Sequence, residues 1–245
     1  MAAPLRIAMW SGPRNLSTAL LRSFGSRADT VVCDEPLYAH YLQRTGAPHP
    51  GLEEVVAQHE CDWRTVARWL TGPLPAGRSV FYQKHMAHHL LPEIERDWLD
   101  GLVHAFLIRE PRAMLASLCE VLPRPDLTDT GLPQQVELFE RLSDQLGHAP
   151  PVVDSRDLTA DPAGVLRALC EQLGVPYDDS MLAWETGPRD TDGCWGMHWY
   201  ASVWASTGFS SEPPKRKPLP ASLRPLAEAC DPLYQTLHAH RITTR

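Results

Sequence analysis

Five short apolar runs constrain this chain more than any other feature: Ile7 to Trp10, Thr30 to Cys33, Ser79 to Gln83, Val103 to Ile108 and Val152 to Asp154. Each has the length of a strand, and each is followed by a helical pattern or an insertion. Parallel strands need a crossover between them, and the crossover lays helices against the sheet. The pattern therefore predicts an α/β fold, a parallel central sheet of about five strands with helices on both faces. A chain of 245 residues can bury a sizeable core. No repeat, low-complexity tract or linker divides it, so residues 1–245 are expected to form a single domain.

The helices carry their own signals. Leu16, Leu20 and Phe24 recur on one face and Gly25 stops that helix. Residues 52–70 read as one amphipathic helix closed by Gly72-Pro73, an insertion placed to cap a ligand site, although core packing explains its Trp residues equally well. Pro111 opens a helix through Met114, Leu115, Leu118 and Leu122 that Pro123 closes, and residues 132–146 form the next. Asp161-Pro162 is a helix start and Gly174 its stop; residues 219–240 form a last helix, with a kink expected at Pro232.

Open α/β sheets bind ligands beyond the carboxyl ends of their strands, and four such ends carry reactive side chains here. After the first strand, Ser11-Gly12-Pro13 turns the chain into a helix whose start offers unpaired N–H groups and the positive end of the dipole. Arg14 adds planar donors, and Ser17 and Thr18 add hydroxyls. Two readings stand: a phosphate or sulfate cradle, or an ordinary loop with a solvated arginine. The nucleotide motif G-x-x-x-x-G-K-S/T is absent. The second strand ends in Asp34-Glu35-Pro36, which either sets carboxylates beside that ligand crevice or supplies only a helix cap or surface carboxylate. The third runs into Lys84 and His85. The helical spacing of His85, His88 and His89 has neither H-E-x-x-H nor a carboxylate partner, so no metal is expected. The fourth ends at Arg109, with Ser117 eight positions on.

Pro13-Arg14-Asn15-Leu16-Ser17-Thr18 resembles the P-R-S-G-T-T loop of the sulfotransferases that use 3′-phosphoadenosine 5′-phosphosulfate (PAPS), with Asn15 and Leu16 replacing Ser and Gly. Arg109-Glu110-Pro111 followed by Ser117 resembles that family's second signature. Asp154 to Leu158, Asp161-Pro162 and Leu173-Gly-Val-Pro176 track its later pattern, with Arg156 where Glu is usual. Lys84-His85 is similar to the family's Lys-Thr-His segment, one residue shorter. Glu212 to Lys217 stands where the family carries R-K-G, although a solvated basic loop is the plainer reading.

The resemblance implies the P-loop NTPase-like sulfotransferase fold and an enzyme, a PAPS-dependent sulfotransferase acting on a hydroxyl or amine of a small-molecule acceptor. It implies that the loop residues Gly12, Pro13, Arg14, Asn15, Ser17 and Thr18 bind the phosphosulfate end of PAPS, and that Arg109 and Ser117 bind its 3′-phosphate. Glu35 is the favoured base, with His85 the other candidate. Lys84 and Arg14 are expected to meet the charge developing on the leaving phosphate. PAPS is the co-substrate implied, with no metal. Two alternatives keep the cradle but change its use: a P-loop-type small-molecule kinase, and a non-catalytic PAP- or phosphate-binding module.

Composition narrows the partners. A net charge of −7 argues against a general nucleic-acid binder. Six scattered cysteines without a C-x-x-C pair point to reduced thiols. No apolar run has membrane-spanning length and no secretory signal opens the chain, so a cytoplasmic protein with no membrane partner is expected. Residues 177–217 show little periodicity; Trp184, Trp195, Trp199, Tyr200 and Trp204 there could stack on adenine, wall an acceptor pocket or form a satellite core.

Overall fold

The computed structural model describes residues 4–210 and 217–244. Among them, β1 (Leu5–Ser11), β2 (Thr30–Asp34), β3 (Val80–Met86), β4 (Val103–Ile108) and β5 (Val152–Asp154) form one sheet in the order β2-β3-β1-β4-β5. Every pairing is parallel. The chain leaves β1 for the β2 edge, returns through β3, and then crosses β1 to β4 on its other side. That reversal opens a crevice beyond the carboxyl end of β1.

On the β2 side lie α1 (Ser17–Gly25), α2 (Tyr38–Thr45), α3 (Leu52–Gln58) and α4 (Trp63–Thr71). Then follow α5 (Pro111–Leu118), α6 (Leu132–Leu146), α7 (Ser155–Ala160), α8 (Pro162–Leu173), the short α9 (Gly196–Trp199) and α10 (Ala201–Trp204), and α11 (Arg224–His238). Strand side chains alternate between two cores. Met9, Tyr82, Ala105 and Leu107 pack on α1 and α8 through Leu20, Phe24, Leu166 and Leu169. Trp10, Phe81, Phe106 and Ile108 pack on the opposite face, against α4, α5, α6 and α11. Both faces are buried, which is why the strands read as unbroken apolar runs.

Three boundaries depart from the sequence expectation. Residues 52–70 are two helices, because the Asp62 side chain accepts from Arg64 N and starts α4 afresh after an extended His59. β3 runs to Met86 instead of stopping near Gln83, so Lys84 and His85 are strand residues on opposite faces; His88 and His89 lie in a 3₁₀ turn, Ala87–His89, and not on a helix face. α5 ends at Leu118, short of Pro123. The expected start and stop of α8 are present: Asp161 accepts from Gly164 N, and Gly174 takes φ 72°.

Candidate active site

The loop after β1 is seated by some of its residues and left open by others. A side chain at Gly12 would collide with the Thr130 carbonyl. With the Gln135 amide oriented to pair both its groups, Gly12 N donates to it at 2.9 Å, and it donates to Leu107 O at 3.3 Å. Asn15 Nδ2 donates to that same carbonyl at 3.2 Å. Pro13 is buried and has no N–H. Gly12 N and Asn15 Nδ2 thus fix the loop to α6 and β4, while Asn15 Oδ1 is buried without a donor among the described residues. What remains open is the first turn of α1. Its N-cap, Leu16, provides no side-chain cap, no acidic residue stands in that turn, and the Ser17 and Thr18 hydroxyls have no partner among the described residues. The neighbouring α5 is closed by comparison, since the Glu110 carboxylate accepts from Arg112 N at 3.1 Å and Ala113 N at 2.8 Å.

Arg14, Arg109 and Ser117 meet at that open turn. Arg14 Nε donates to Ser117 Oγ at 2.9 Å and one terminal nitrogen donates to Trp199 O at 3.3 Å, while Arg109 donates to Arg14 O at 2.6 Å. Among the described residues neither guanidinium has a carboxylate within ion-pair distance. Burial lowers the pKa of both, and the charge of Arg14 pushes that of Arg109 down further. Two half-buried cations against each other beside an uncapped helix start make a place short of negative charge.

The ends of β2 and β3 are the reverse case. Asp34 and Lys84 are register neighbours. Lys84 Nζ donates to Asp34 Oδ1 at 2.8 Å, Glu35 Oε1 at 2.8 Å and Tyr200 OH at 2.7 Å. Tyr200 OH in turn donates to Asp34 Oδ2 at 2.7 Å and accepts from Trp195 Nε1 at 2.9 Å. Lys84 is 1% exposed and all its protons are directed into this nest, so it stands as a counter-ion to the carboxylates and does not present a free ammonium to a ligand. Burial raises the Glu35 pKa, Lys84 pulls it back, and Asp34 raises it again. Burial alone would lower the Lys84 pKa, but Asp34 and Glu35 raise it.

Glu35 is held at φ 42°, and among the described residues the only other non-glycine positions with positive φ are Arg14 at 60° and Leu16 at 69°. Backbone strain thus falls on the two candidate segments and nowhere else among the described residues, which is where functional sites store it.

The histidines divide differently from the sequence expectation. His85 lies on the opposite face of β3 from Lys84, stacked on Trp10 at 4.4 Å with Nε2 3.3 Å from Gln83 Oε1. Burial drives its pKa down to about 3. It is a core group away from Glu35, because strand alternation turns it there. His89 is the imidazole near Glu35, with Nδ1 4.0 Å from Oε2, beyond hydrogen-bond range, and its ring lies between Tyr38 and Tyr41. Burial holds His89 neutral, with His88, His49 and Lys84 adding to that effect. The polar role of Tyr200 left no mark in the sequence beyond an aromatic residue in an irregular stretch. Glu212 to Arg216 lie outside the described residues, while Lys217 pairs with Glu120 at 2.5 Å, just past Ser117. No group of three or more His, Cys, Asp or Glu is arranged to hold a metal among the described residues, and no helix among them is long and apolar enough to cross a membrane.

The family described as the sulfotransferase domain matches residues 5–241. The chain is 40% identical over 242 residues to branched-chain-amino-acid aminotransferase-like protein 1 of Arabidopsis thaliana, covering 98% of this chain and 43% of that one. It is 36% identical over 231 residues to the corresponding protein 2, covering 94% and 41%. It thus spans less than half the length of either plant protein, and their names belong to those longer proteins. Two solved structures share the fold. The sulfotransferase domain of the Synechococcus PCC 7002 olefin synthase has a TM-score of 0.51 at 18% identity, over 94% of this chain and 95% of that one. A sulfotransferase from Alicyclobacillus acidocaldarius has a TM-score of 0.50 at 16% identity, over 75% and 87%.

Proposed function

The chain belongs to the sulfotransferase domain family, and from that premise we propose that it moves a sulfuryl group from PAPS to a hydroxyl or amine of a small-molecule acceptor. The observation that supports this donor is the meeting of Arg14, Arg109 and Ser117 beside the uncapped start of α1, two cations without a carboxylate partner among the described residues. An adenosine carrying phosphate groups at both ends of its ribose fits a site short of negative charge at more than one point.

PAPS supplies an activated sulfuryl group: its bridging S–O bond breaks, the electron pair stays on the 5′-phosphate of PAP, and sulfur bonds to the acceptor atom. Arg14, Ser17, Thr18 and the first-turn N–H groups of α1 hold the phosphosulfate end and meet the charge that grows there. Arg109 and Ser117 hold the 3′-phosphate. Glu35 takes the acceptor's proton. Its burial raises its basicity, while Lys84 and Tyr200 aim it and keep it ionised. Lys84 in this reading is a positioning residue.

In metal-free buffer, PAP is expected to raise the melting temperature, and Glu35→Gln to keep that protection while losing PAPS-dependent turnover. Equal protection by ATP with magnesium and none by PAP would overturn the donor assignment. Retained turnover in Glu35→Gln would overturn the base.

A further inference from the structure

A cleft of about 290 Å³ runs along β2, the outer strand of the sheet, between α4 and residues 190–195, and Glu35 belongs to its wall. Asp34, Glu35, Glu60, Asp190 and Asp192 line it with no Lys or Arg among the lining residues; Lys84 balances the first two from behind and Arg22 pairs with Asp192, which leaves Glu60 and Asp190 without an ion-pair partner among the described residues. Val32, Pro36, Ala39 and Val66 line it too, with two indoles: Trp69 on α4, 55% exposed, and the buried Trp195. His59 is also on the wall; partial burial lowers its pKa and Asp34 raises it in part.

Acidic residues alone would be a solvated surface, but Asp192 is not solvated. Its side chain is 4% exposed, and Oδ2 accepts from Arg22 at 2.6 Å, Arg189 N at 2.9 Å and Trp204 Nε1 at 2.9 Å, while Oδ1 is buried with no donor among the described residues. A buried acceptor without a donor, on the wall of a cavity, asks for a donor from outside the chain. Carboxylates beside an exposed indole, here that of Trp69, form the environment that takes an ammonium group, through charge and through the aromatic quadrupole.

We propose that the acceptor is a small alcohol bearing a cationic nitrogen, with the ammonium held in this cleft by Glu60, Asp190, Asp192 and Trp69 and the hydroxyl directed to Glu35. The choice of acceptor rests on the sulfuryl-transfer reading above; the binding of the cation rests on the cleft alone.

The test uses ethanolamine and choline, each against the alcohol in which carbon replaces the nitrogen. Turnover with PAPS is expected to favour the charged member by about tenfold or more in kcat/KM, as about 1.4 kcal/mol of cation recognition would give. In the double variant Glu60→Gln/Asp190→Asn that ratio is expected to fall toward one through a higher KM, with PAP protection retained as the control for folding. Equal use of the neutral alcohols, or a ratio untouched by the double variant, overturns the proposal. Should PAP neither bind nor protect, the sulfuryl-transfer reading fails by itself. Quenching of tryptophan fluorescence by choline against its carbon isostere then decides the cleft: a preference for the cation sustains the binding site, and no preference removes it.

Discussion

The two ends of the candidate site handle charge in opposite ways. At the β1 loop, Arg14 and Arg109 sit together with no carboxylate partner among the described residues, and α1 has no cap. At the ends of β2 and β3, Lys84 is enclosed by Asp34, Glu35 and Tyr200, and every proton has an acceptor. The first is completed only by an anion from outside; the second is complete within the chain. A ligand should therefore stabilise through the first region, while mutation should destabilise through the second.

Lys84→Met strikes the second region hardest. It leaves two buried carboxylates without their counter-ion, and a loss of about 3–5 kcal/mol in urea unfolding is expected. A loss below about 1 kcal/mol would mean that the nest is not internally compensated, and the contrast would fail. Arg109→Ala tests the first region. It removes one hydrogen bond to Arg14 O but relieves the repulsion from Arg14, so the free protein is expected to stay within about 1 kcal/mol of its original stability. PAP affinity, measured by calorimetry, should fall by about 1.5–3 kcal/mol, tenfold to more than a hundredfold, as for a lost charged hydrogen bond.

Tyr200→Phe is a milder probe of the nest. Trp195 Nε1 and Asp34 Oδ2 lose their shared hydroxyl partner, at a cost of about 1–2 kcal/mol. The same hydroxyl helps hold the Glu35 pKa down. Without it that pKa rises, so the acid limb of the kcat/KM profile, where Glu35 must be ionised, is expected to move to higher pH. A limb that stays in place would detach Glu35 from the pH dependence.

How much of this was legible in the sequence follows from what each feature depends on. The five strands were, because burial on both faces leaves an unbroken apolar run in each. Arg14 is legible as a cation in a loop that opens a helix, and Arg109 and Ser117 through their resemblance to a family signature; the fold brings the two ends together. The place of His85 is not legible, because the length of β3 decides which face a residue takes, and the strand's continuation to Met86 puts His85 in the core beside Trp10. Tyr200 and Asp192 could not be read, since each gets its role from partners far along the chain, Asp34 and Lys84 for one and Arg22 for the other. The break at Asp62 was a local cap signal hidden under an apolar pattern that continued through it.

The smallest expected effect concerns Leu16, where the family resemblance has glycine. Leu16 keeps φ 69°, a conformation glycine adopts freely and a leucine only at about 1–2 kcal/mol. The chain has kept the backbone shape of the loop without the residue that makes it easy, and Asn15 and Gln135 on the Leu107 carbonyl are the bonds that hold it. Leu16→Gly removes that strain but gives the unfolded chain more freedom and deletes a half-buried side chain. The net gain in stability is expected to be at most about 1 kcal/mol, seen as a small rise in melting temperature, with PAP protection preserved. A clear destabilisation would show that the Leu16 side chain, and not only the hydrogen bonds behind it, anchors the loop. The open region would then owe its shape to packing, as the closed one owes its own to charge.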